Sequence, residues 1–113
     1  MDELVRWLGE QLDEDERVAR ECAGNGEWDA DDIAIYGPDL APEVRQHMAE
    51  HDPARVLREI DAKRRILAEH ALNGWVCSTC DNGEVEQVFP CPTLRLLALP
   101  YADRPGYREA WRP

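Results

Sequence analysis

Three cysteines and a histidine crowd into the second half of this chain: His70, Cys77, Cys80 and Cys91. The turn Cys77-Ser-Thr-Cys80 sets two sulfurs close together, so one metal ion can take both without straining the backbone. Zinc in structural sites takes four soft or borderline ligands in a tetrahedron, and three cysteines with one histidine is a standard set. The expected cofactor is therefore a structural zinc ion held by His70, Cys77, Cys80 and Cys91. In that arrangement the ion ties the end of a central helix to a hairpin and to the start of the last helix.

His70 is the favoured fourth ligand because its helix leads straight into the cysteine turn. Cys22 and His51 stand in reserve, His47 behind them, and Asp81 offers an oxygen. Four protein ligands leave no position for water and imply a structural site; three cysteines alone would leave a position open, as an enzyme needs. A reversible Cys77–Cys80 disulfide is a further reading. It is disfavoured because Asp81-Asn82-Gly83 breaks the helix on which such thiols are activated. The plain alternative makes Cys77 and Cys80 small turn residues and Cys91 a buried thiol.

Charge is unevenly spread along the 113 residues, whose net charge is −11. Residues 1–52 carry 16 acids against 4 arginines, whereas residues 53–113 carry 8 acids against 9 basic residues. General nucleic-acid binding needs cations that neutralise phosphate, so none is expected. An unknown protein partner of basic character would suit the acidic half, and so would a role as a DNA mimic; the bland reading is a solvated surface. No run reaches transmembrane length, and Met1-Asp2-Glu3 is unlike a signal peptide, so no membrane role and a cytoplasmic location are expected. Thiols stay reduced there, which favours metal over disulfide.

The spacing of apolar residues predicts a mainly α single domain (α+β) spanning residues 1–113. Leu4, Leu8 and Leu12 mark an acidic N-terminal helix over 2–22, stopped by Gly24-Asn25-Gly26. Ile33-Ala-Ile35-Tyr36 reads as a short strand closed by Gly37-Pro38. A short helix is expected over 42–50. Asp52 caps and Pro53 opens the central helix over 53–72, with Val56, Leu57, Ile60, Leu67 and Ala71 on its apolar stripe. A cysteine-containing hairpin is expected over 75–91, turning at Asp81-Asn82-Gly83 and returning through Val85, Gln87 and Phe89. C-terminal helices follow over 92–112, and the leucines at 94, 96, 97 and 99 suggest burial nearly all round, with Pro100 as the stop. Lys63-Arg64-Arg65 reads as a solvated face, Arg95, Arg104, Arg108 and Arg112 add positive charge near the C-terminus with a local anion patch as the minor alternative, and Trp7, Trp28, Trp75, Tyr101, Tyr107 and Trp111 read as core and hinge residues. Trp111 is also read as a docking residue.

Two blocks carry a resemblance. The tail Cys91-Pro-Thr-Leu-Arg-Leu-Leu-Ala-Leu-Pro-Tyr-Ala-Asp-Arg-Pro-Gly-Tyr-Arg-Glu-Ala-Trp-Arg-Pro and the helix His51-Asp-Pro-Ala-Arg-Val-Leu-Arg-Glu-Ile-Asp-Ala-Lys-Arg-Arg-Ile resemble a family of small actinobacterial and actinophage proteins of unknown function. The resemblance implies no activity, so the metal reading rests on residue chemistry. No hydrolase elbow, phosphate loop or dinucleotide glycine motif is present. The sequence favours a non-enzymatic accessory or interaction module, with the acidic N-terminal helix as its partner surface. The alternatives are an acidic DNA-mimic inhibitor and an enzyme with an open zinc site of three cysteines and a water.

Overall fold

Asp2 begins the architecture by accepting the backbone N–H of Leu4 at 2.8 Å, which caps a helix whose leucines recur every four residues. The computed structural model describes residues 2–22, 24–80 and 89–113. Five α-helices and one two-stranded sheet are seen among them: α1 (Glu3–Glu21), α2 (Ala30–Tyr36), α3 (Pro42–Glu50), α4 (Pro53–Glu69), β1 (Leu72–Asn73), β2 (Val76–Cys77) and α5 (Pro92–Ala98). Two 3₁₀ turns follow, Leu99–Tyr101 and Glu109–Trp111. The fold is mainly α with a small hairpin, as the apolar spacing predicts. Contacts divide the chain into two units, one of residues 1–13 and 62–113, the other of residues 14–61.

The first unit holds the denser core. Leu4, Leu8 and Leu12 are fully buried, and Trp7 nearly so. The Trp7 ring stands 5.7 Å from Tyr107 and 5.4 Å from Trp111, and its Nε1–H donates to the Pro105 carbonyl at 2.9 Å. The tail is thus held down by one indole that is apolar on its faces and satisfied at its polar edge. Gly106 lets the chain pass: its φ is +91°, and a Cβ there would lie 2.7 Å from Trp7 Nε1. The Tyr101 ring lies between Lys63 Nζ and the Arg104 guanidinium, 5.0 and 4.8 Å from its centroid.

The basic residues near the C-terminus are committed inside this unit. Arg95 donates to the carbonyls of Pro90 and Ala110, Arg108 pairs with Glu3, and Arg112 pairs with Glu109. They brace the tail instead of forming an open anion patch. Helix α5 buries Leu94 and Ala98 while Leu96 remains 57% exposed, so burial nearly all round is replaced by a one-sided stripe. Pro100 does not stop the chain but continues it as 3₁₀, where its missing N–H is not needed.

The second unit is organised around Asp52. Its Oδ1 accepts the Arg55 N–H at 2.8 Å, capping α4, and its Oδ2 accepts the Trp28 N–H at 3.0 Å. The Gly26 carbonyl accepts the Ala54 N–H at 2.9 Å beside it. The backbone donors of Arg55 and then Trp28 hold the Asp52 carboxylate below its ordinary range.

The strand expected over residues 33–36 is a helix. Asp29 accepts the Asp32 N–H at 2.8 Å while Asp32 accepts the Asp29 N–H at 3.0 Å, a capping box that nucleates α2. Ile33 is 5% exposed and Ile35 is 76% exposed. Two positions apart is opposite faces on a helix but the same face on a strand, so burial and backbone agree. The central helix also ends sooner than residue 72. It stops at Glu69, and Leu72–Asn73 instead pairs antiparallel with Val76–Cys77 around Gly74 at φ +68°. The hairpin expected over 75–91 is thus anchored earlier, and its turn at 81–83 and return through Val85 and Gln87 lie outside the described residues.

Two outcomes test these assignments. Asp52→Ala should cost about 1–2 kcal/mol in denaturant unfolding. Because the folded carboxylate is depressed, that contribution is complete above the ordinary value near 3.8 and disappears as pH falls through the folded value; the wild-type advantage should vanish in acid. Gly106→Ala should cost at least about 1 kcal/mol, since it adds positive-φ strain to a clash with Trp7. An unchanged melting temperature would reject the close approach.

Candidate metal centre

Helix α4 delivers His70 just beyond its last turn, β2 delivers Cys77, the turn after it delivers Cys80, and Cys91 stands at the N-cap of α5. Their ligand atoms all lie within 4.8 Å of one another. His70 Nδ1 is 3.3 Å from Cys77 Sγ, 3.5 Å from Cys80 Sγ and 3.5 Å from Cys91 Sγ. A single ring N–H points along one direction and cannot serve three sulfurs at once. Near-equal separation from all three is the geometry of ligands arranged about a common centre. Cys77 and Cys91 are fully buried, His70 and Cys80 partly so, and no disulfide joins them.

The thiols are unequal. Burial opposes charge on Cys77, but the backbone N–H groups of Cys80 and Thr79, with the His70 and Cys80 side chains, outweigh it and bring the thiol down to about 7. Burial pushes Cys80 up to about 11, and the neighbouring sulfurs of Cys77 and Cys91 add to the effect. The turn therefore offers one thiol that ionises readily, Cys77, and one that resists ionisation, Cys80. A bound cation removes that resistance, because a coordinating thiol is deprotonated outright. The arrangement can hold a metal ion.

Residues that the metal reading treated as spacer have a positioning role. Ser78 N–H donates to the Ala71 carbonyl at 2.9 Å, and the hydroxyls of Ser78 and Thr79 both donate to the Glu69 carbonyl. The last carbonyls of a helix lack intrahelical partners. The cysteine turn satisfies the last of them, that of Glu69, and so fastens itself against the helix end that carries His70. Serine and threonine between the two cysteines are the only sequence signal of this, legible once the helix is known to end at Glu69.

The reserve ligands are elsewhere. Cys22, His47 and His51 belong to the second unit and are not part of the four-residue group. The Cys22 thiol donates to the Val18 carbonyl at 3.4 Å, and the His47 and His51 rings stack with centroids 4.2 Å apart. Asp81 lies outside the described residues.

A family profile matches residues 1–113. The chain belongs to DUF6221, a family of unknown function. The resemblance carried by residues 51–66 and 91–113 pointed to a family with no known activity, and this is such a family. Searches of curated proteins and of solved structures return no match. No helix among the described residues of this DUF6221 member is long and apolar enough to cross a membrane.

The double variant Ser78→Ala/Thr79→Ala should retain metal about tenfold less tightly in competition with a chromophoric chelator, while keeping its helix content, because groups that orient ligands typically contribute at that level. Unchanged affinity would show that the turn needs no such support.

Proposed function

We propose that this DUF6221 protein is a non-enzymatic accessory or interaction module whose fold is fastened by one structural zinc ion on His70, Cys77, Cys80 and Cys91. The observation that carries the reading is the set of three separations from His70 Nδ1 to sulfur, 3.3, 3.5 and 3.5 Å. Zinc–sulfur and zinc–nitrogen bonds in a regular tetrahedron place nitrogen and sulfur about 3.5 Å apart. Those separations match the edges of such a site. Two of the sulfurs, those of Cys77 and Cys91, are also fully buried.

This geometry favours the closed site over the open one. An enzyme using three cysteines and a water needs its fourth position free, and His70 is directed at that position. The acidic-mimic alternative finds little support on α1. Glu14 and Glu21 pair with Arg17, Glu16 pairs with Arg20, and Asp13 pairs with Arg64. A surface imitating phosphates would present its carboxylates unneutralised. Three free thiols among the four ligands also suit a cytoplasmic location, where cysteines are kept from forming disulfides.

Elemental mass spectrometry on untagged, reduced protein tests the proposal. The expected result is one zinc per chain, lost or loosened in both His70→Ala and Cys91→Ser. Both variants should melt roughly 10 °C or more below wild type, since metal affinity is part of the folding free energy. A metal-free wild type, or full zinc content and stability in both variants, would overturn it.

A further inference from the structure

The second unit has an apolar trough that its own chain leaves uncovered. Trp28, Ile33, Ile35, Tyr36 and Met48 line a cavity of about 640 Å³, with Glu27 and Asp32 in its wall. Ile35 is 76% exposed and Tyr36 89% exposed. Helix α3 buries none of its residues, and Val44 and Met48 on it are also exposed. Apolar side chains gathered this way and rimmed by polar groups mark an interaction site on a soluble protein.

Charge decides what fits there. Residues 27–50 carry seven carboxylates and one arginine. Asp31, Asp39 and Glu43 pair with no cation among the described residues. A second copy of this chain would bring the same negative field to the same face and be repelled. The complementary occupant is cationic. Its shape follows from the elements present. Among the described residues the second unit has no strand, so it offers no sheet edge for an extended peptide to join. A trough lined by α2, by Met48 of α3 and by Trp28 of the segment before α2 takes the apolar ridge of another helix, through anchors spaced three and four residues apart. A small ligand fits less well, because binding pockets enclose most of their ligand whereas Tyr36 stands almost wholly in solvent.

We infer that the Trp28–Ile35–Tyr36–Met48 trough docks a basic amphipathic helix of a partner protein, its apolar ridge in the trough and its Lys or Arg residues against the carboxylates of α2 and α3. This supplies the partner class for the interaction reading above and does not depend on the metal.

The test uses the full metal-loaded chain and a labelled synthetic helix of leucine and lysine, about 14 residues long so that it presents the anchors of several turns. A Leu/Glu helix and a Lys/Ser peptide of equal charge serve as controls. Fluorescence anisotropy should show binding of the Leu/Lys helix alone. Tyr36→Ser/Met48→Ser should weaken it at least about tenfold, as loss of buried anchors does. Glu27→Gln/Asp31→Asn should weaken it and flatten its salt dependence. No binding, equal binding of the Lys/Ser peptide, or binding indifferent to Tyr36→Ser/Met48→Ser would overturn the inference. So would a dimer in sedimentation velocity that Tyr36→Ser dissociates. Metal content is read on the same samples: a chain without zinc that still shows the trough-dependent binding would sink the metal reading and leave this one standing.

Discussion

Four ligand atoms from three separate stretches of chain meet within 4.8 Å, and three of them are sulfurs. That convergence is costly in isolation. Burial, and then the neighbouring sulfurs, disfavour charge on Cys80, and a half-buried imidazole with three sulfurs at nearly equal distance satisfies at most one of them. The surrounding fold holds the group together nonetheless. The cysteine turn closes onto the last carbonyls of α4, Cys91 opens α5, and the Leu4–Leu8–Leu12 stripe with Trp7 supplies the apolar core of the same unit. A chain of this size buries a modest core, so a centre joining the helix end, the hairpin and the last helix is where extra cohesion counts most.

The two units solve the burial problem differently. In the first, aromatic rings pack edge to face around Trp7, and arginines pair with carbonyls, a carboxylate and a ring face of the same unit. In the second, cohesion is largely polar and local: a capping box at Asp29, a shared carboxylate at Asp52, and the Gly26 carbonyl meeting the start of α4. Few of its side chains are buried, and its apolar residues gather on an outer face. That apolar exterior is the surface on which the proposed docking of a basic helix rests.

Much of the site was legible from residue types alone. Thiols and an imidazole at short spacing are the side chains that metal sites use, so the grouping of His70, Cys77, Cys80 and Cys91 could be written down before any coordinates. The cap at Asp52 and the proline at position 53 marked the start of α4 correctly for a similar reason: each acts within a few bonds of its own backbone. The misreadings share a cause as well. Ile33-Ala-Ile35-Tyr36 has strand composition, but the reciprocal Asp29–Asp32 bonds favour a helix start just before it. The leucines of α5 suggested burial on all sides, but burial depends on what faces a residue, and nothing in the sequence states that.

Local chemistry, then, was determined by the sequence by itself: the grouping of His70 with Cys77, Cys80 and Cys91, the Asp52 cap, the acidic character of the first half and the leucine stripe of α1. These follow from interactions between residues a few positions apart, or from side-chain chemistry that needs no neighbour. Only the tertiary structure decided that α4 ends at Glu69 so that the Ser78–Thr79 turn can close on it, that the C-terminal arginines brace the tail, and that Ile35 and Tyr36 face outward beside Trp28. Each of those outcomes is a competition among distant groups for the same buried space or the same unsatisfied carbonyl, and a one-dimensional pattern does not record who wins.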